Sequence, residues 1–141
     1  MGAGAIFYPL TECLANAIAM VTRYAGCKCR LFSGDFTPNF KTNILELVAH
    51  EANYDGYTPG GVAVDGVSSP VLCNSPGFLV TLTFPAFRVA DNPSATDVVG
   101  GFWIESAAGD LRIIGVFPDL IPMQTSGQGF PIITTLVASS G

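Results

Sequence analysis

Charge is what this sequence most lacks. Asp, Glu, Lys and Arg together make up 12% of the chain, against about 25% in an ordinary soluble domain. A fold with so few charges leaves uncharged, partly apolar surface in water, and such surface commonly meets a partner. Basic residues are especially scarce: six are scattered singly from Arg23 to Arg112, in a chain of net charge −5. With no Lys/Arg cluster to neutralise successive phosphates, we expect no nucleic-acid partner. No apolar run reaches the roughly 18 residues of a membrane span, so no membrane partner is expected either. Met1 to Tyr8 carries no basic stretch of the kind that opens a signal peptide, which points to accumulation in the cytoplasm where the chain is made.

Groups for chemistry are also few. His50 is the single histidine, so any Ser-His or Cys-His dyad would depend on it alone. Cys27-Lys28-Cys29 lacks the two-residue gap of a redox or zinc motif, and Cys13 and Cys73 do not complete a tetrahedral set. Buried free thiols are the expectation for all four. The pairs Glu46/Glu51 and Asp91/Asp97 lack calcium-loop spacing and read as solvated loop charges. Gly2-Ala3-Gly4 follows no strand and makes no dinucleotide loop. We therefore expect no catalytic residues, no metal site, no cofactor and no enzymatic activity. Trp103, Tyr54 and Tyr57 could stack on a sugar, although aromatics at strand spacing more often serve core or interface.

At 141 residues the chain suits one domain, 1–141, able to bury a core without staples. Leu10, Leu14, Ala17, Ile18 and Val21 recur at helical spacing, which predicts a helix over about 11–24. Thr11 is its expected cap and Gly26 its stop. From about 27 to 138 the signals predict a β core. Cys27, Cys29 and Leu31 alternate with Lys28 and Arg30, as a half-buried strand requires. Asn43 to His50 suits a short helical turn with Leu45, Val48 and Ala49 inward. Phe78, Val80, Leu82 and Phe84 share one face of a strand that Pro85 ends. Val98–Glu105 and Leu111–Phe117 make a hairpin across Ser106–Asp110, with Gly100-Gly101 marking a bulge or a close approach. Phe130–Val137 is the last strand. The fold class is mainly β, a sandwich or barrel-like antiparallel sheet with an N-terminal helix.

Three stretches resemble a group of small phage-encoded virion proteins. Arg30-Leu31-Phe32-Ser33-Gly34-Asp35-Phe36-Thr37-Pro38 is similar to that group's "LRLFTN-x-x-TP" stretch. Glu51-Ala52-Asn53-Tyr54-Asp55-Gly56-Tyr57 is similar to its "EA-x-x-x-GY" stretch. Val99-Gly100-Gly101-Phe102-Trp103-Ile104-Glu105-Ser106-Ala107-Ala108-Gly109 is similar to its "I-x-GYFVTD-x-x-G" hairpin. Where members of the group carry a Trp and an acidic/basic pair after the hairpin, this chain has Ile114-Gly115-Val116-Phe117-Pro118-Asp119.

The resemblance implies a virion component: a capsid decoration (cement) protein, or a minor head or tail protein. Its implied partners are the major capsid protein and further copies of itself, as a homotrimer. The alternative is a host- or glycan-binding module of a tail or fibre, using Trp103, Tyr54 and Tyr57. For docking, the expected anchors are Phe36, Phe40, Phe117 and Met123, in the loops Phe36–Phe40 and Phe117–Met123. These four could instead be core residues beneath those loops.

Overall fold

Hydrophobic alternation at a period of two dominates the chain after its first helix, and the fold follows it. The computed structural model describes residues 10–72 and 77–138. Helix α1 (Leu10–Arg23) is followed by β1 (Lys28–Ser33), α2 (Ile44–Ala49), β2 (Val62–Ala63), β3 (Gly66–Val67), β4 (Val71–Leu72) and β5 (Phe78–Thr83). Then come β6 (Phe87–Arg88), β7 (Asp97–Glu105), β8 (Leu111–Met123), β9 (Gly129–Phe130) and β10 (Ile133–Ala138). The fold is mainly β. The strands form an antiparallel sheet A in the order β2-β1-β7-β8 and a sheet B in the order β10-β5-β3, with β4 also paired to β5. β6 and β9 pair in a separate short ribbon, and among the described residues no sheet closes into a barrel.

One apolar cluster joins the two sheets. Cys29, Leu31, Val99, Ile104 and Met123 from sheet A meet Leu82 of sheet B, with Phe84, Phe87 and Ile132 alongside. Sheet A is also covered on its other side. There Phe32, Leu47 and Trp103 form a separate buried cluster under α2. This double burial explains why β7 reads as a nearly continuous apolar run instead of alternating.

A bulge makes the double burial possible. The ladder between β7 and β8 slips between Val99 and Gly101, so Val99 and Ile104 face the same core although they lie an odd number of residues apart. Gly101 then sits directly opposite Phe32 of β1, and Gly115 of β8 directly opposite Phe102 of β7. In each pair the phenyl ring lies over the glycine, where a Cβ would collide with it. Aromatic rings thus cover two glycines on opposite faces of one sheet.

Several sequence expectations need correction. Helix α1 forms over the expected residues and ends as Gly26 adopts φ +70°. Its buried stripe, however, is Cys13, Ala17 and Tyr24 with Met20, while Leu14 and Ile18 are exposed. The small Ala17 side chain lets the helix approach Val80 of β5 closely, so the inward face is set by fit and not by bulk. Thr11 lies inside the helix and does not precede it. In α2, Leu47 points inward, while Leu45, Val48 and Ala49 face solvent. The Asn43 side chain accepts from the Glu46 N–H at 2.9 Å, and this cap fixes the phase of the short helix. The expected last strand is two: Phe130 pairs with Phe87 in the ribbon, and β10 starts only after Pro131, which has no N–H for a ladder. β8 runs on past Phe117 to Met123.

Candidate interaction face

The outer side of sheet A, where α2 lies, carries the least conventional chemistry in the molecule. Arg30 projects from β1 opposite Trp103 of β7, and its guanidinium carbon stands 4.9 Å from the indole centroid. Its Nε and Nη2 donate to the two carboxylate oxygens of Glu51 at 2.8 and 2.9 Å. Its Nη1 donates to Glu105 Oε1 at 2.7 Å. The Tyr57 hydroxyl donates to Glu51 Oε2 at 2.6 Å and accepts from the Leu31 N–H at 3.2 Å. The Gly60 N–H reaches the same carboxylate at 3.2 Å.

Arg30 and Glu51 keep only 14% of their side-chain exposure and Glu105 only 8%, so these are shielded, charge-assisted bonds. Burial by itself would raise the Glu51 carboxyl. The hydrogen bonds from Arg30 and Tyr57, the charge of Arg30 and the Gly60 N–H outweigh that and hold it below its ordinary value. Burial, followed by the bond to Glu51, drives the Tyr57 phenol upward. The Glu51 bond to Arg30 in turn raises the guanidinium against its desolvation. The network pins the chain at residues 30, 51, 57 and 105 under one plate. The expectation that Glu51 is a solvated loop charge is corrected accordingly.

The same side of the sheet also carries exposed apolar side chains. Leu45 is 77% exposed and Val48 43%, one turn apart on the outward side of α2. Phe40, in the loop before α2, is 95% exposed, and Val116 on β8 is 64% exposed. Phe40 and Val116 line one open cleft of about 460 Å³ with Pro38, Leu111, Arg112 and Ile114. Lys41 Nζ lies 5.9 Å from the Phe40 ring centroid. The cleft lining includes Arg112 and no acidic residue, in a chain whose acidic side chains outnumber its basic ones. Among the described residues β8 is one of the two edge strands of sheet A, with β2 at the other edge, and edge strands of this length offer backbone groups to a partner.

The four expected anchors are placed differently from one another. Phe40 stands on this face. Phe36 is half-buried, edge-on to Phe32 at 5.9 Å and stacked on His50 at 4.6 Å. Phe117 is half-buried against the core between Phe102 and Phe130. Met123 is fully buried and presents no side-chain surface to a partner. Leu45, Val48 and Val116 were missed; the one available signal was that α2 holds more apolar residues than one face of a six-residue helix can bury.

The aromatics considered for sugar stacking are withdrawn from solvent. Trp103 and Tyr54 are buried and Tyr57 is held in the ion network. Burial, then the Asp97 charge, pushes the Tyr54 phenol up to about 12. His50 caps α2, with Nδ1 3.8 Å from Asp35. Asp97 is not merely solvated: it accepts from the Ser33 hydroxyl at 2.7 Å and the Asn53 N–H at 2.9 Å. Cys13, Cys27 and Cys29 are buried free thiols, and Cys73 lies outside the described residues. Among the described residues no cluster of three His, Cys, Asp or Glu side chains could hold a metal ion. Comparison with protein-family models, curated proteins and solved structures finds no match for this chain.

Proposed function

We propose that this protein is a structural component of a phage particle, a decoration (cement) protein that docks on the shell formed by the major capsid protein. The observation that carries the reading is a set of exposed apolar side chains on the outer side of sheet A: Phe40 and Val116, which line one cleft, and Leu45 and Val48 on the outward side of α2. Full burial of one large apolar side chain is worth about 1.5–3 kcal/mol, so these residues are suited to the centre of an interface.

The phage-like stretches support the same region. Arg30 belongs to the first, Glu51 and Tyr57 to the second, and Trp103 and Glu105 to the third, and all five meet in the one network. The network thus draws on all three stretches, with Arg30, Glu51 and Tyr57 matching the group's residues and Trp103 and Glu105 standing where the third stretch has Phe and Thr.

The test is mass spectrometry of purified particles from the phage that encodes the chain, together with particles from a deletion of its gene. The polypeptide is expected at stoichiometric copy number, and deletion particles are expected to lose DNA at lower temperature. A polypeptide expressed in infected cells but absent from purified particles overturns the reading.

A further inference from the structure

Helix α1 has a second apolar side that is exposed. Its inward stripe is Cys13, Ala17, Met20 and Tyr24. Its outward side carries Thr11, Leu14, Ala15, Ile18, Ala19 and Thr22, all exposed, with Leu14 at 38% and Ile18 at 54%. Only two charges lie on the helix, Glu12 in its first turn and Arg23 in its last. Among the described residues neither makes an ion pair within the chain. A helix apolar on both sides is usually covered on both.

We infer that this outward side of α1 is a contact between two copies of the chain, paired antiparallel about a twofold axis. The sequence of the helix is complementary to its own reverse. Centring the axis between Asn16 and Ala17 sets Thr11 at the height of Thr22, and brings Leu14 and Ile18 of the two copies together along one flank of the seam, with Ala15 and Ala19 along the other. The charges agree with the same arrangement. Glu12 faces position 21 of the mate, two residues from its Arg23, or about 3 Å along the axis at 1.5 Å per residue. Both charges lie on one flank of the helix, and in an antiparallel pair like flanks meet. Glu12 and Arg23 thus pair twice across the axis, whereas in a parallel pair the charged flanks lie on opposite sides of the seam and neither charge meets its complement.

This inference goes beyond the capsid reading and does not depend on it. An antiparallel contact is isologous and closes at two copies, in place of the trimer expected from the sequence. A 14-residue helix is about 21 Å long, and its outward side offers roughly half of the ~800 Å² per partner of a standard interface. The dimer is accordingly weak in solution and is reinforced where copies are held side by side on a lattice.

Sedimentation velocity of the full chain from about 10 µM to 1 mM tests it. The wild type is expected to pass from monomer to dimer over this range, and Ile18→Glu to remain monomeric. Glu12→Arg and Arg23→Glu are each expected to weaken association about tenfold or more, since two attractive pairs become repulsive. The double variant Glu12→Arg/Arg23→Glu is expected to restore it. All substituted side chains are exposed, so thermal melts of the variants should match the wild type. A wild type that stays monomeric to 1 mM overturns the inference. So does a dimer indifferent to these substitutions, or an Ile18→Glu variant with a lowered melting temperature, which would mean that the helix is covered by its own chain.

Discussion

Removing Arg30 isolates the energetic role of the shielded network. Arg30→Met keeps the length and apolar stem of the side chain but leaves Glu51 and Glu105, with 14% and 8% of their side-chain exposure, without their cation. Breaking a buried pair by deleting one partner costs about 3–5 kcal/mol. With a urea slope of about 2 kcal/mol/M, the midpoint at pH 7 should fall by roughly 2 M. The loss must also depend on pH. In the wild type the Glu51 carboxyl is lowered from its ordinary 4.5, so its contribution is complete above that pH and fades as pH falls through the lower folded value. In the variant, burial without a cation raises the Glu51 carboxyl. Acid then protonates it and relieves the strain, so the gap between variant and wild type should narrow between pH 7 and pH 4.5. Urea titrations at these two pH values decide the matter. A loss below about 1 kcal/mol, or one that does not change with pH, refutes the account of a shielded ion network.

Other consequences follow from packing and burial. Gly101→Ala places a Cβ into the Phe32 ring and the Gly115 carbonyl, and should destabilise by about 2–3 kcal/mol by overpacking, as thermal denaturation would show. Burial pushes the Cys27 thiol up to about 11 from 9.0, and Cys13 and Cys29 are buried as well. In a Cys73→Ser background no thiol should react with an aromatic disulfide reagent at pH 8 until denaturant is added, when three should. Asn43→Ala removes the cap of α2 and should cost about 1 kcal/mol. The exposed Phe40→Asp should change the unfolding free energy by no more than about 0.5 kcal/mol.

Much of the fold was legible because its signals are local. The alternation in β1 and β5, the hairpin turn and the helical period of α1 each sit within a few residues. The direction in which α1 faces was not legible, because it has two apolar stripes and only the contact with Val80 selects the one carrying Ala17. The phase of α2 depends on the bond from Asn43, which a count of apolar residues does not register. The network was hidden for a different reason. Arg30, Glu51, Tyr57 and Glu105 are far apart in sequence, and in the strand pattern Arg30 reads as one more outward-facing charge. The phenylalanine–glycine pairs across β1, β7 and β8 likewise become visible only once the register is known. Of the proposed docking surface, Phe40 was legible from its loop, while Leu45 and Val48 were assigned inward.

Co-sedimentation of the purified protein with particles that lack it tests the docking face most directly. Wild-type protein should bind to saturation at a fixed ratio to the major capsid protein. Phe40→Asp/Val116→Asp, folded to the same melting temperature, should lose most of that binding. Equal binding by the two proteins would contradict the assignment of the outer side of sheet A as the surface that meets the shell.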